Sequence, residues 1–217
     1  MHDEHGRLLA VNDADRSPAP RFYLGRTTEG NFWRFRHDLP AGLIVRLEEI
    51  LVDEPVEENP ERQAATIRRI FVALLRHAPV EWMWEGPAWR FPERIVIPAG
   101  PQPERLTNKT EIDDGRFSWL ADELDLIQPV FVIRDAGRIV SVCHSSRYLS
   151  RAAQAGVETL EDYRGRGFAP AVVASWAQAV RDEGREPLYS IYWENQASRA
   201  VAAKLGLILI GSDMHMG

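Results

Sequence analysis

The sequence predicts an α/β fold. Between residues 130 and 210, short segments rich in β-branched and aromatic residues alternate with segments whose apolar residues recur at helical spacing. The 217 residues are 45% hydrophobic and 27% charged, which is enough apolar material for a packed core. The first hundred residues carry strand-like and helical patterns of their own, so we expect an additional α/β region there.

The first hundred residues divide into a lead-in and an accessory region. Residues 1–20 end in SPAP, and we expect them to be loosely ordered. In residues 21–100, a Thr-Glu-Gly turn separates short strands at 22–24 and 32–35, and apolar spacing predicts helices at 39–51 and 61–78. Strands broken at Gly86-Pro87 and at Pro92 follow. The linker-like stretch PAGPQPE at 98–104 marks the expected domain boundary.

Residues 105–217 follow a clearer pattern. A short helix at 114–124 precedes a hairpin of strands 130–134 and 138–145, turned at Asp-Ala-Gly. A strand at 154–160 runs into a loop and then a helix at 169–183, for which Gly184 is a suitable C-terminal residue. A strand at 188–193, a helix at 196–205 ended by Gly206 and a last strand at 207–210 complete the region.

Composition narrows the classes of function and location. The net charge of −6 argues against a nucleic-acid-binding surface. Cys143 is the single cysteine, which excludes an intramolecular disulfide and favours a reducing compartment. No apolar run approaches the roughly 20 residues that span a bilayer, the N-terminus does not resemble a signal peptide, and no zinc-binding spacing such as HExxH occurs. We therefore expect a soluble cytoplasmic protein that binds no nucleic acid, membrane or metal.

The stretch DYRGRGFAPA, residues 162–171, has the composition of an anion-binding loop. Alternating Arg and Gly are poor in helices and strands, and the small apolar residues after them predict a helix start. The first N–H groups of a helix have no partner within it, and with the helix dipole they favour an anion. The Walker pattern is absent, and the GxGxxG pattern is incomplete because Pro170 holds its third position. A nicotinamide-dependent oxidoreductase and an ordinary helix cap remain alternatives.

Two motifs in the expected order resemble those of the GNAT N-acetyltransferases. Residues 163–167, YRGRG, resemble the R/Q-x-x-G-x-G/A pyrophosphate loop of that family. Residues 195–198, NQAS, resemble its Asn-x-x-Ala/Ser motif at the second helix, and KLGL at 204–207 resembles the Lys-Leu-Gly-Phe that follows. The resemblance covers about residues 105–217 and implies a GNAT-type mixed central sheet flanked by helices, with residues 21–100 as an N-terminal accessory region.

The resemblance implies a binding mode for acetyl-CoA, which in this family lies between two splayed parallel strands, here 154–160 and 188–193. Backbone groups of Val157 and Thr159 are then expected to bind the pantetheine arm. Asn195 and Ser198 are expected to contact the same arm near the thioester, where a backbone N–H polarises the carbonyl. The expected pyrophosphate ligands are the loop and helix start, namely Arg164, Gly165, Arg166, Gly167, Phe168 and Ala169.

The reaction implied is acetyl transfer to a primary amine by direct attack, without a covalent enzyme intermediate. Glu158, in the strand that lines the cleft, is one candidate for the general base. His144 is the other, because an unperturbed imidazole pKa of about 6.5 suits removal of a proton from an ammonium. Each has a structural alternative: an ion pair with Arg147 or Arg151 for Glu158, and an exposed position on a strand for His144.

One departure from the family concerns the acid that protonates the leaving thiolate. Members often place a tyrosine seven residues after the Asn of the second motif, where this sequence has Ala202. Tyr192 or Ser198 can take that role, or the thiolate leaves unaided, since its pKa is not far above neutrality. Ala202 also favours the alternative of a non-catalytic acyl-CoA-binding or sensing module. The acceptor, a small molecule or a peptide amine, and the oligomeric state stay open.

Three further features have structural explanations that we prefer. Cys143 is predicted to be buried, and it cannot form a catalytic pair with His144 because neighbouring residues on a strand point to opposite faces. Four arginines of the helix at 61–78 are expected to form a solvated face. Four tryptophans are expected in the core rather than in a substrate-facing wall: Trp82, Trp84, Trp89 and Trp119.

Overall fold

The elements of the chain pack as two units in a computed structural model that describes residues 1–11, 18–56 and 62–217. The first unit comprises Met1–Ala88, Ile191–Asn195 and Leu209–Gly217, and the second comprises Trp89–Ser190 and Gln196–Ile208. The division therefore falls at residues 88 and 89, whereas the sequence placed it at 98–104. The Pro- and Gly-rich stretch interrupts regular structure, but it lies inside the second unit.

The secondary structure is mixed α/β, as predicted. In chain order the strands and α-helices are β1 (Phe22–Thr27), β2 (Gly30–Phe35), α1 (Ala41–Leu51), α2 (Ile67–His77), β3 (Met83–Arg90), β4 (Glu104–Arg105), α3 (Leu120–Glu123), β5 (Phe131–Asp135), β6 (Arg138–Tyr148), β7 (Ala152–Thr159), α4 (Phe168–Asp182), β8 (Glu186–Ser190), α5 (Gln196–Lys204) and β9 (Ile208–Met216).

The first unit has strands in the order β2-β1-β9-β3 with α1 and α2 on one face. β1 pairs antiparallel with both neighbours, so that Phe22 lies opposite Phe35 on β2 and Met216 on β9. Because side chains alternate along a strand, Phe22 and Leu24 point to the same side, where they pack with Leu47, Leu74 and other apolar residues of the two helices. The arginines of α2 and Arg62 point to solvent, which confirms the predicted solvated face.

The helix predicted at 61–78 begins at Ile67, because two buried carboxylates bind the backbone before it. Among the described residues of that range, Thr66 donates its N–H and its hydroxyl to Oε2 of Glu54, at 2.9 and 2.7 Å. Ala64 donates its N–H to Oε1 of Glu85 at 2.8 Å. These side-chain acceptors replace the carbonyls that a longer helix would have supplied. Residue 61 lies outside the described ranges.

Residues 1–11 are more ordered than the loose lead-in that the sequence predicted. Leu8 donates its N–H to the carbonyl of Phe35 at 2.8 Å, and His37 donates to the carbonyl of Leu8 at 3.0 Å. The terminal ammonium of Met1 donates to the carbonyl of Ala10 at 2.8 Å. These backbone hydrogen bonds depend on tertiary contacts, which cannot be predicted from the local composition of the segment.

The second unit has strands in the order β8-β7-β6-β5-β4. β5 and β6 form the predicted hairpin, and Ala136 and Gly137 at its turn have φ values of 47° and 83°. α4 packs on one face of β5 to β8 and buries Trp176, whose indole donates to Oγ of Ser145 at 3.1 Å. Val142 of β6 points to the face of the sheet opposite α4. There it packs in a cluster with Phe117, Leu120 and Leu124.

Predicted elements in both units differ from the structure in extent. The helix at 114–124 is reduced to Leu120–Glu123, since Asp114 and Gly115 are weak helix formers. The strand at 188–193 ends at Ser190, and β3 is not broken at Gly86-Pro87. Proline lacks a donor but keeps its carbonyl, and the carbonyl of Pro87 accepts the N–H of Ile191 at 3.4 Å.

Candidate active site

The second unit contains the parallel strand pair expected at the cleft. β7 and β8 are in register at Ala152 opposite Glu186 and at Gln154 opposite Leu188. The pairing ends there, whereas β7 continues to Thr159. Val157 and Thr159 thus lie in a part of β7 that pairs with β6 but no longer with β8. The edge of β7 toward β8 is left with backbone groups that an extended ligand can bind.

The loop after β7 adopts a conformation that glycine permits. Gly165 and Gly167 have φ values of 75° and 84°, in the left-handed region that other L-residues avoid. Gly167 directly precedes α4, whose first turn contains Phe168, Ala169 and Pro170. Pro170 has no N–H, and a helix offers no internal partner to the first amides. The amides of the loop end and of the helix start therefore form a site suited to an anion.

Three cationic side chains lie at this loop. A Cβ added to Gly167 would be 3.7 Å from Nζ of Lys204, at the end of α5. Arg164 donates from Nε to the carbonyl of Thr159 at 3.4 Å. Arg166 donates to the carbonyl of Asp162 at 2.8 Å, and its guanidinium lies 4.8 Å from the centre of the Tyr163 ring. Sequence analysis gave Lys204 no role, although its KLGL motif was the signal that could have suggested one.

The two candidate bases share one face of the sheet. Val142 is opposite Glu158, and His144 is opposite Gly156, so all four side-chain positions point to the same side. Ser145 is on the other face, where it contacts α4 through Trp176. The structure thus brings Glu158 and His144 together on the face away from α4. Arg116, rather than the expected Arg147 or Arg151, pairs with Glu158, with 2.9 Å between Nε and Oε1.

His144 is largely buried rather than exposed on its strand. Its ring packs edge-on against Trp119 with 5.4 Å between ring centres, and a Cβ on Gly156 would lie 2.6 Å from its Nε2. Among the described residues its Nδ1 has no hydrogen-bond partner. Burial lowers the pKa of His144 below its usual 6.5, and a backbone contact at Ser145 and the negative charge of Glu158 oppose this shift. The imidazole is therefore neutral at neutral pH.

The remaining predicted site residues are Ser198, Asn195 and Tyr192. Ser198 is half-buried on α5 in the second unit. Asn195 immediately precedes α5 and belongs to the first unit, as does Tyr192. Tyr192 is 50% exposed, and its ring lies 5.5 Å from that of Trp84.

Two residues near this site are buried in ways that limit their chemistry. Ala202, at the position where the family often has tyrosine, is only 3% exposed. Cys143 is fully buried, as predicted, and burial raises the pKa of its thiol. A thiol with a raised pKa is a poor nucleophile at neutral pH.

Of the four tryptophans, Trp89 is buried as expected, whereas Trp82 is exposed and Trp84 and Trp119 are half-buried.

Residues 130–212, which include this loop and the strands on either side, match the family model described as GNAT acetyltransferase. This region of the chain is similar to the GNAT acetyltransferases. The match agrees with the two motifs. No curated protein matches the sequence.

Solved structures of GNAT proteins share the fold at low sequence identity. A GCN5-related N-acetyltransferase-like protein from Streptococcus suis 89/1591 is 18% identical with a TM-score of 0.54, over 98% of this chain and 90% of that one. A GNAT-family acetyltransferase from Colwellia psychrerythraea is 10% identical with a TM-score of 0.53, over 85% and 75%. A GNAT-family protein from Novosphingobium aromaticivorans is 16% identical with a TM-score of 0.50, and the match spans 64% of this chain and 65% of that chain's length.

Among the residues that the structure describes, no three His, Cys, Asp or Glu side chains cluster in a way that would hold a metal ion. Within those ranges, no helix is long and apolar enough to cross a bilayer.

Proposed function

We propose that this protein transfers an acetyl group from acetyl-CoA to a primary amine. The observation that carries the proposal is the end of the β7–β8 register at Gln154, followed by a β7 edge that leads into the glycine loop and α4. An open strand edge suits the amide-containing pantetheine arm, and a helix start with left-handed glycines suits a pyrophosphate. Few other ligands combine these two chemical groups in one chain.

The described residues fit acetyl-CoA as a co-substrate. The amides from Arg166 to Ala169 would bind the pyrophosphate, with charge from Arg164, Arg166 and Lys204. Backbone groups of Val157 and Thr159 would bind the pantetheine arm, as would Asn195 and Ser198. Acetyl-CoA supplies the activated thioester, while the protein binds, orients and handles the protons.

Glu158 is the better supported candidate for the general base. Its carboxylate is part-exposed at the end of β7, so it can accept a proton from the acceptor ammonium directly or through water. His144 is less suited to contact an acceptor because its ring is enclosed by Trp119 and by the backbone at Gly156. The negative charge of Glu158 nevertheless opposes the lowering of the His144 pKa, so the two groups interact electrostatically.

The leaving thiolate has two candidate proton donors in this proposal, and it can also depart unaided. Tyr192 has an exposed ring, and Ser198 is on α5 beside the NQAS motif. A thiol pKa of roughly 8.5 also permits departure without an acid near neutral pH. We retain Tyr192 as the first candidate because a phenol is the group that the family uses. A small-molecule or peptide amine in a cytoplasmic setting remains the proposed acceptor.

The second candidate is a module that binds acyl-CoA without turnover. Ala202 favours it, because burial leaves no room for a catalytic side chain at that position. A nicotinamide-dependent oxidoreductase has less support, since Pro170 interrupts the dinucleotide motif and the matched family is a different one.

Two measurements test the proposal. Acetyl-CoA at 100 times its Kd should stabilise the fold by about 2.7 kcal/mol through linkage, whereas NADH should not; absence of a thermal shift at millimolar acetyl-CoA would refute it. Release of free CoA thiol across a panel of amines then separates an enzyme from a binding module. A thiol-reactive dye suits that assay because the single cysteine of the protein is buried.

A further inference from the structure

A groove of about 660 Å³ lies between α1 and α2 in the first unit, and the residues that line it belong to these two helices. They occupy positions 42, 45, 46, 49 and 50 of α1 and positions 68, 69, 72 and 76 of α2. This spacing of three and four residues places them on one face of each helix. Other faces of the same helices pack in the core through Leu47 and Leu74.

The floor of the groove is apolar and consists of Val45, Ile50 and Val72. Ile50 is 7% exposed, whereas Val45 and Val72 are 54% and 39% exposed. Single exposed valines are ordinary on a protein surface, but apolar side chains gathered in a concave site can be covered by another molecule. Both walls are helices whose backbone groups bond internally, so binding in the groove depends on side chains.

Arginines surround this apolar floor. The described residues that line the groove include four arginines and a single acid, Glu49, in a chain whose net charge is −6. Arg69 is matched by Asp53, with 2.6 Å between Nη1 and Oδ2. The other three arginines, which we call the arginine rim, are exposed and have no hydrogen bond or ion pair with any residue that the structure describes: Arg46, Arg68 and Arg76. The groove is therefore locally positive on an acidic protein.

The chemistry of the groove discriminates between candidate ligands. A small-molecule site has a few polar groups placed to converge on the ligand, whereas the charged groups here are exposed arginines at a rim. Single-stranded nucleic acid is bound through aromatic rings on which its bases stack, and none of the described residues that line the groove is aromatic. A helix with an apolar stripe between acidic flanks matches both features, because its stripe covers the floor and its carboxylates reach the rim.

We propose that the groove between α1 and α2 is a docking site for an acidic amphipathic helix of a partner protein. The apolar floor receives the stripe of that helix, and the arginine rim pairs with carboxylates on its flanks. Glu49 is the lining group that opposes such a partner. The proposal does not depend on the acyl-CoA site. It accounts for three unpaired arginines around one groove, an arrangement that adds nothing to the stability of the fold by itself.

A model peptide tests the docking site directly. The probe is a fluorescein-labelled peptide of about 15 residues, with leucines on one helical face and glutamates on the flanks. Its fluorescence anisotropy should rise saturably with the 217-residue chain and fall as NaCl is added, because salt screens exposed charges. A scrambled peptide of the same composition should bind on the order of tenfold more weakly, since its leucines no longer share a face. Absence of binding, or equal binding of the two peptides, would overturn the proposal.

Two pairs of variants with matched charge changes locate the binding. Arg68→Glu should weaken it on the order of tenfold, because a carboxylate then opposes the acidic peptide; Arg62→Glu, exposed but outside the groove, should have a clearly smaller effect. Glu49→Lys should strengthen it several-fold, whereas Glu48→Lys, exposed one position away and outside the groove, should change it much less. Equal effects within either pair would show a response to net charge alone and would rule out the groove as the site.

Other occupants give different results in the same experiments. If light scattering shows a dimer that Arg68→Glu dissociates, the groove joins two copies of this chain and the proposal falls. It also falls if phosphatidylglycerol vesicles or a single-stranded oligonucleotide bind wild type more tightly than the peptide does and lose that binding in Arg68→Glu. Tight binding of the ordered peptide alone, with opposite responses to Arg68→Glu and Glu49→Lys, is the expected result.

Discussion

Arg116 Nε lies 2.9 Å from Glu158 Oε1, so the proposed base is held by an ion pair at the end of β7. Both side chains are part-exposed, and solvent screens the interaction. The arginine therefore keeps the carboxylate in place without withdrawing it from an incoming ammonium. An exposed arginine at this position also means that a cationic acceptor has to compete with Arg116 for the same carboxylate.

Glu158→Gln should reduce kcat on the order of 10²- to 10⁴-fold, the usual contribution of a general base. The amide keeps the shape and loses the base, while acetyl-CoA binding should hardly change because backbone and loop hold it. Initial rates with an identified acceptor, beside calorimetric titration of acetyl-CoA, measure both quantities. Glu123→Gln, exposed on α3, is the control. An undiminished rate in Glu158→Gln would eliminate this residue and leave His144 or bulk water.

His144 should make the fold sensitive to acid. Because burial lowers its pKa, the folded protein binds fewer protons at this site than the unfolded chain does once the pH drops toward and below 6.5. This contribution to the free energy of unfolding is present above that pH and is lost as the pH falls through the lowered pKa. Melting temperatures from pH 8 to 4.5 should decline less steeply in His144→Gln than in wild type. Parallel curves would show that the imidazole titrates normally in the folded chain.

Gly167→Ala should abolish acetyl-CoA binding, and Gly167→Val should do so at a higher cost in stability. Any L-residue at a φ of 84° is strained by about 1–2 kcal/mol, and the new Cβ would face the anion site near Lys204. Gly184→Ala is a matched control, since Gly184 has a φ of 75° and open space at the end of α4. Thermal shifts with acetyl-CoA measure the binding. If Gly167→Ala and Gly167→Val bind acetyl-CoA as well as wild type does, the loop serves only as a helix cap.

Lys204→Met should weaken binding of acetyl-CoA but not of S-acetylpantetheine, which lacks the pyrophosphate. The ammonium lies near Gly167, at the proposed pyrophosphate site, so its charge would act on the phosphate part of the ligand. The other lysine of the chain, Lys109, forms an ion pair with Asp125, so Lys109→Met is a suitable control. Calorimetric titration of both ligands measures the effect. Equal losses for the two ligands would indicate general damage rather than a lost phosphate contact.

Ala202→Tyr should destabilise the fold instead of supplying an acid. The position is nearly fully buried, and overpacking of this kind typically costs about 1–3 kcal/mol. Urea denaturation should give a lower free energy of unfolding, and the rate at pH 7 should not rise. A variant as stable as wild type with faster turnover would mean that α5 can present a phenol there after all.

The sequence predicted the second unit better than the first, for reasons that particular residues make clear. Gly184 and Gly206 end α4 and α5 as expected, and the turn before Gly137 closes its hairpin, because these local conformations depend on nearby residues. The late start of α2 depends instead on Glu54 and Glu85, which are distant in sequence. The same holds for the continuity of β3 through Pro87, and no periodicity reports such contacts.

The candidate site was predicted in part, because its motifs are local and its packing is not. The glycine loop and the NQAS motif were visible in short windows. The partner of Glu158, the enclosure of His144 by Trp119 and the approach of Lys204 to Gly167 join residues more than 20 positions apart. Only the assembled sheet brings them into contact.

The pairing of the last strand with the first has a practical consequence for anyone who expresses the family-matched region alone. β9 takes Phe22 to Arg26 as its partners, and Met214 and Met216 pack beneath that strand. A truncated gene product that starts near residue 105 would leave this side of β9 as a free edge with apolar side chains exposed. Such edges recruit other chains, so the shortened protein should be recovered from inclusion bodies, whereas the 217-residue chain should be recovered from the clarified lysate.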